Sequence, residues 1–590
     1  MKQLNKNYTE AFRQNRGHLL KTLGAIYKGS YGKIFLSSVC FAIKHSPCWI
    51  LPILTANLIN LAASGTEADK SKIIINAVAF GVLLIINIPL NYLHVHFYAS
   101  AIRDAEAGMR LAIVDKIQHL SIDYHKHTEN GRIQAKLMRD VEQFQTLSEQ
   151  LFVNALMFIL TIIVTVSVTL SKSMIVFCFF LIAVPVAVTI TMLFRKKIRR
   201  KNKAFRSEME NAGAKMIEMV ELVPVARAHA LEDWEVERMS KQINKVRKKG
   251  YSMDTFQALF GSVSWLTFQL LQMSCLVFTA VLAFKKLIPV GDVVLYQSYF
   301  STIVGSISAI IGLIPIIAKG LESLSSIGEI LLEDDVEDNE GKKKLEQLDG
   351  VYDFKNVSFH YNDKIERDVL KDFSLHVNKG ETVALVGESG SGKTTALNLV
   401  IGFDQPTEGK LTIDGVDIKD INLHSYRSFI GVVPQNPIIF NGTIKDNITY
   451  GMKNVSHKKL DEIIKAALLD ELIAELPDGV DTLITEHCSN LSRGQRQRIS
   501  IARALMRDPQ VIVLDEATSA LDSVSEKKIQ TAIENLTKGR TTFVVAHRLS
   551  TIQNADKIVV VKDGKCAETG SFDELMEKKG EFYKFKQIQS

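Results

Sequence analysis

Six long apolar stretches mark the first part of the chain, at 34–62, 73–99, 152–170, 174–194, 256–284 and 293–317. Each approaches or exceeds the roughly 20 residues with which a helix crosses a bilayer core. Six such runs cannot all hide in one water-soluble core, so the pattern predicts an all-α membrane domain of six spans. Between spans two and three (101–150) and four and five (196–253) the chain stays helix-compatible but highly charged. Its breakers there are isolated: Gly108, Gly131, Gly213, Pro224 and Gly250. A helix running from 73 to 120 would be about 70 Å long, against a hydrocarbon core of about 30 Å. These helices are expected to continue well outside the membrane and to turn back near 121–131 and 220–230, which suits them for docking a soluble domain. Beyond residue 332 the apolar runs shorten and are broken by turns, the pattern of a soluble domain.

Charge sets the orientation. Arg195, Lys196, Lys197, Arg199, Arg200, Lys201 and Lys203 follow the fourth span, and Lys2, Lys6, Arg13, Arg16, Lys21, Lys28 and Lys33 precede the first. The positive-inside rule places both groups, and with an even number of spans both chain ends, in the cytoplasm. Lys285 and Lys286 fall outside on this scheme and oppose it mildly. The basic, polar start is not that of a cleavable signal peptide. At 590 residues more than one domain is expected. We divide the chain into a membrane domain at 1–332, an acidic and basic linker at 333–349 expected to be solvated, and a second domain at 350–590. The 46% hydrophobic and 23% charged composition is an average over unlike halves, and a net charge of +6 calls for no nucleic-acid partner. Six cysteines without a CxxC pair read as free thiols.

The second domain carries recognisable chemistry. A short apolar strand at 381–386 is followed by Gly387, Glu388, Ser389, Gly390, Ser391, Gly392, Lys393 and Thr394, and then by a helix at 395–401 opening on Thr395. This is G-x-x-x-x-G-K-[ST] in its required strand–loop–helix setting. The glycines let backbone N–H groups curve around phosphate oxygens, and the helix adds its positive end. Lys393 neutralises β- and γ-phosphate charge, and Thr394 offers a hydroxyl to Mg²⁺. In the stretch 510–516 four apolar residues then make a buried strand whose end delivers Asp515 and Glu516. The first suits a magnesium shell and the second a general base that polarises water. The domain is therefore expected to be an α/β P-loop nucleotide-binding domain using ATP and Mg²⁺.

With these motifs in order, the chain resembles an ATP-binding cassette exporter of the half-transporter kind, over essentially its whole length. Leu491-Ser492-Arg493-Gly494-Gln495 resembles the family signature, and Ser519-Ala520-Leu521-Asp522 its D-loop. Gln435, after a strand at 430–433, falls at the Q-loop glutamine, and His547, after a strand at 542–546, at the switch histidine. Tyr361 takes the place of the aromatic that stacks on adenine, and Glu486 that of the exporter X-loop acid. The resemblance implies that His547 orients water and Glu516. It implies that Gln435 joins Thr394 and Asp515 around the metal. It also implies that Ser492, Gly494, Gln495 and Asp522 serve a nucleotide shared with a second half-transporter, identical or not. The cargo implied is an amphipathic lipid, a drug-like molecule or a peptide, exported or flipped across the cytoplasmic membrane. An ATP-gated channel or a membrane-bound sensor is the alternative.

Two features depart from, or go beyond, that pattern. Arg493 stands where the signature has glycine, either pointing away or adding a phosphate contact, and 485–490 lacks the usual X-loop glycines. Lys44, His45, His94, His96, Gln269, Gln272 and Gln297 interrupt the spans. Polar groups at membrane depth are costly and often line a pathway, although those near an interface can snorkel.

Overall fold

The computed structural model describes residues 2–64, 69–361, 368–484, 491–515, 523–546 and 552–589. It separates into two compact units, Met1–His119 with Glu129–Asp334, and Leu120–Thr128 with Asp335–Ser590.

The first unit is helical. It comprises α1 (Lys2–Gln14), α2 (Leu19–Ile26), α3 (Tyr31–Ser64), α4 (Asp69–His119) and, after α5 (Ile122–His127) of the other unit, α6 (Asn130–Ala135), α7 (Val141–Glu149) and α8 (Leu156–Lys172). Then come α9 (Met174–Glu221), α10 (Val223–Ala228), α11 (Glu232–Phe284) and α12 (Asp292–Leu331). Five of the six apolar stretches lie in these helices, and the third, 152–170, runs from a π-helical turn at Gln150–Ala155 into α8. Five helical segments among the described residues are long and apolar enough to cross a membrane, and a shorter apolar one, Met174–Val186, opens α9. The 51 residues of α4 span about 77 Å at 1.5 Å each. Ile74, Ile75, Val78, Ile85 and Ile88 on α4 are 60–74% exposed, a surface suited to lipid and not to water. Pro47, Pro52, Pro89, Pro185 and Pro315 sit inside long helices, where membrane helices tolerate them.

Small polar side chains knit the bundle. Thr161, Thr165 and Thr169 form a buried stripe on α8. Thr165 and Thr169 each donate to the carbonyl four residues back at 2.7 Å, and Thr161 accepts from Trp49 Nε1 at 3.0 Å. Hydroxyls satisfied within their own helix let neighbouring backbones approach closely. At one end of the bundle Lys172 on α8 meets the buried Asp292 of α12 at 3.1 Å. Beyond the spans, Glu329 accepts from the buried Lys136 at 2.6 Å. That hydrogen bond holds its carboxyl below the usual carboxylate range.

The second unit contains two main sheets. One is antiparallel, in the order β2 (Leu370–Val377), β1 (Tyr352–Phe359), β4 (Glu408–Ile413) and β5 (Val416–Asp417). A small pair, β7 (Gly442–Thr443) with β8 (Leu483–Ile484), lies apart from both. The larger sheet runs β12 (Lys565–Gly570), β11 (Lys557–Lys562), β3 (Thr382–Val386), β10 (Thr541–Val545), β9 (Val511–Asp515) and β6 (Ile430–Val433). All its neighbours from β11 to β6 are parallel. Strands β11 to β6 are nearly continuous apolar runs, as a sheet covered on both faces requires, whereas the antiparallel edge strand β12 is polar and partly exposed. One apolar core fills each face.

The stretch 333–349 is mostly exposed, as expected of a solvated connection, and is anchored at a few points. Glu337 pairs with Arg427 at 2.6 Å, and Asn339 Oδ1 accepts from the Leu423 amide at 2.7 Å. Lys343 exchanges backbone bonds with Asp420 and Asn422 at 2.9 Å. Leu348 is only 5% exposed in the core. The segment's charged side chains mostly face solvent, while its few apolar and amide groups fasten it to helix α14 (Leu423–Arg427) and the turn before it.

Candidate functional site

In an open parallel sheet, ligands bind beyond the carboxyl ends of the strands. Four adjacent parallel strands, β3, β10, β9 and β6, end along one edge about 4.8 Å apart. Gly387 follows β3 directly, Asp515 closes β9, and Gln435 stands two residues beyond β6. The strands that lead in sequence to His547 and Glu516 are β10 and β9. His547, Glu516, Asp522 and Glu486 themselves lie outside the described residues.

The loop after β3 is shaped by close approaches. A Cβ on Gly387 would meet the Val561 carbonyl oxygen at 2.2 Å. Gly392, at φ 109°, caps helix α13 (Lys393–Ile401). The helix thus begins two residues earlier than the sequence suggested, which places Lys393, Thr394 and Thr395 in its first turn. Lys393 is 6% exposed, and its Nζ donates to the carbonyls of Gly387 at 2.9 Å and Glu388 at 2.8 Å. Ser391 Oγ is buried and has no hydrogen-bond partner among the described residues. A buried donor left open is costly unless a ligand completes it, so the loop fits a phosphate.

A cleft of about 1190 Å³ runs from Tyr361 past Ser389 and Ser391 to Lys562 and Gly564 at the end of β11. At its rim Lys562 pairs with Glu581 at 2.7 Å. The hydrogen bond and charge of that partner raise the lysine pKa and lower that of the carboxylate. The Tyr361 hydroxyl and Thr395 Oγ1 are 3.1 Å apart, and Phe359 meets the Tyr361 ring edge-on.

The signature segment opens a helix, Arg493–Met506, with Ser492 as its N-cap. Ser492 Oγ accepts from the Gln495 amide at 3.2 Å, and Gln495 Oε1 accepts from the Ser492 amide at 2.7 Å. This is a capping box, so the Gln495 side chain is engaged in fixing the helix start. The Arg493 guanidinium reaches Asn436 Oδ1 at 3.5 Å, beside Gln435. Gln497 Nε2 donates to the Pro434 carbonyl at 3.2 Å. The signature helix and the segment holding Gln435 are therefore tied twice.

Sequence reading marked 121–131 as a docking turn but singled out none of its side chains. In α5, Lys126 lies 3.3 Å from both oxygens of Asp404 and 5.0 Å from the centroid of the Tyr361 ring. No local signal shows this pairing, which joins positions 278 apart. In the helical unit, His94 is buried, with its Nδ1 2.8 Å from Ser37 Oγ. His96 is exposed and lies against Tyr92. His45 lies against Phe41, and the Lys44 ammonium stands 5.8 Å from that ring.

Comparison with known proteins gives matches over both units. The model of an ABC transporter matches residues 370–519, and that of an ABC transporter transmembrane region matches 34–307. YgaD of Bacillus subtilis, named for multidrug export as an ATP-binding/permease protein, is 32% identical over 93% of this chain and 96% of its own. A Staphylococcus aureus protein of the same description is 30% identical over 95% and 97%. A solved bacterial Atm1-family ABC exporter with ATP bound superposes with a TM-score of 0.80, covering 95% of this chain and 98% of that one at 24% identity.

Proposed function

The chain belongs to the ABC transporter family, and from that premise we propose that it exports or flips an amphipathic lipid, drug-like molecule or peptide out of the cytoplasm by alternating access. It is a multi-pass membrane protein, an ATPase-coupled transporter. The observation that carries the proposal is the presence in one chain of five long apolar helical segments and a shorter one among the described residues, together with a phosphate-shaped loop at the carboxyl edge of a parallel sheet.

In this reading the backbone amides of 387–394 and the ammonium of Lys393 hold the phosphates, and Tyr361 stacks on the base. Thr394, Gln435 and Asp515 would hold Mg²⁺, which when bound withdraws charge from the phosphate oxygens. Glu516 takes the proton of the attacking water, and His547 orients that water. The Ser492 helix presents its N-terminus to the γ-phosphate of a nucleotide held by a second chain, with Gly494 leaving room for it and Asp522 at the same seam. Val223, Val225, Leu231 and Trp234, around α10, are 40–56% exposed. An apolar loop at the far end of long helices suits contact with that second chain. The basic clusters support cytoplasmic placement of both termini and the ATP-binding unit.

For the cargo, a cavity of about 240 Å³ among α9, α11 and α12 is lined by Val184, Trp265, Phe268 and Ile311. It also holds Ser264, whose hydroxyl has no partner among the described residues. Such a wall suits an apolar molecule with a small polar handle. The buried His94, already bonded to Ser37, reads as packing.

Purified chain in lipid nanodiscs is expected to hydrolyse ATP faster when a transported amphiphile is added. The same chain in inside-out vesicles should accumulate that amphiphile only with ATP. Ion conductance without cargo, and no accumulation, would replace export with gating. Spin labels on the two ATP-binding units should draw together with ATP in the Glu516→Gln variant and stand apart without it. Equal distances in a variant shown to bind ATP would reject the two-chain mechanism.

A further inference from the structure

We infer that Lys126 is a positioning residue through which helix α5 and a nucleobase on Tyr361 sense each other, an inference that rests on the stacking role proposed for Tyr361. The α5 segment is short but well fixed. Ser121 Oγ accepts from the Tyr124 amide at 3.0 Å to cap it, and the Ser121 amide donates to the Asp335 carbonyl at 3.0 Å. Near its end, Lys126 serves two neighbours with one ammonium. Asp404 is 6% exposed, and a carboxylate so buried is stable only if paired. Lys126 supplies that pair, 3.3 Å from each oxygen. The same ammonium stands 5.0 Å from the centroid of Tyr361, within the range of cation–π attraction.

These two neighbours bracket helix α13, which follows the phosphate loop. The Tyr361 hydroxyl is 3.1 Å from Thr395 Oγ1 in its first turn, and Asp404 lies just beyond its last residue, Ile401. In sequence α5 connects α4 to α6, and α4 contains the second span. A cation on one face of an aromatic ring polarises it, so a base stacked on Tyr361 gains attraction when Lys126 is seated. Coupling of this kind is reciprocal: whatever factor Lys126 adds to base binding, the base returns to the seating of α5. The contact would report base occupancy to the chain segment that leads to the spans.

The full chain in nanodiscs, titrated with ADP, tests this without hydrolysis. Lys126→Met combined with Asp404→Asn keeps the stem and leaves no buried carboxylate unpaired, and Lys126→Arg keeps the charge. Loss of the cation should weaken ADP roughly threefold to tenfold, while arginine stays within about twofold of the parent. ADP should slow hydrogen exchange over 122–127 in the parent and in Lys126→Arg but not in the double variant. In a Tyr361→Leu background, removing the Lys126 charge should change ADP affinity no further. If Tyr361→Leu weakens ADP but the double variant binds it, and responds in exchange, like the parent, the inference falls and the stacking role stands. If Tyr361→Leu itself leaves ADP affinity unchanged, the stacking role falls and takes the inference with it.

Discussion

Replacing Glu516 by glutamine leaves ATP bound and lowers its turnover by roughly 100- to 10,000-fold, the range that a positioned general base contributes. Strand β9 has four buried apolar residues, Val511 to Leu514, clamped between β10 and β6. A strand so enclosed fixes where its last residue, Asp515, leaves the sheet, and Glu516 is the next residue in the chain. Glutamine has nearly the same size and can still hydrogen-bond water, but it cannot accept the proton. Binding should therefore survive while chemistry fails. Asp515→Asn should behave differently: a carboxylate assigned to the metal shell affects magnesium-dependent binding as well as turnover. Phosphate release and equilibrium ATP binding, measured on one preparation, separate the two patterns. Turnover near that of the parent in Glu516→Gln would reject the general-base assignment.

What could be read in the chain follows from how local each signal is. Spans need only a run of apolar residues, so all six stretches coincide with helices. The strand before the phosphate loop needs only a short apolar run, and at 382–386 it stands within a residue of its expected bounds. The start of α13 is missed by two because Gly392 adopts a left-handed φ that no pattern announces. The 333–349 segment reads as solvated because charge dominates its composition, and most of it is exposed, but its anchors at Asn339 and Lys343 were not legible because they contact residues 70 or more positions away. Gln495 illustrates a conflict between two readings. Ser-x-x-Gln is itself a capping-box pattern, and the local reading accounts for its side chain where the resemblance assigned it to nucleotide. Lys126 and Asp404 carry no mark at all, since only the fold brings them together.

Removing the ammonium of Lys393 should weaken ATP binding by roughly 10- to 150-fold, the equivalent of about 1.5–3 kcal/mol for a hydrogen bond to a charged group. Lys393 lies at the start of α13, where the helix end already favours anions. Buried to 6% exposure, it donates to the carbonyls of Gly387 and Glu388, so it holds the loop in shape before any phosphate arrives. Its loss therefore acts twice, once on loop geometry and once on phosphate charge. Lys393→Met keeps most of the stem and its packing but neither the donor nor the charge. The two effects part on shorter nucleotides. A lysine aimed at the β- and γ-phosphates matters to ATP and ADP, whereas AMP reaches neither position. Calorimetric titration of Lys393→Met with ATP, ADP and AMP should show large losses for the first two and little for the third. Equal losses for all three would mean that the substitution collapses the loop and that the charge itself contributes little. ATP bound within about twofold of the parent would mean that 387–394 does not hold the phosphates.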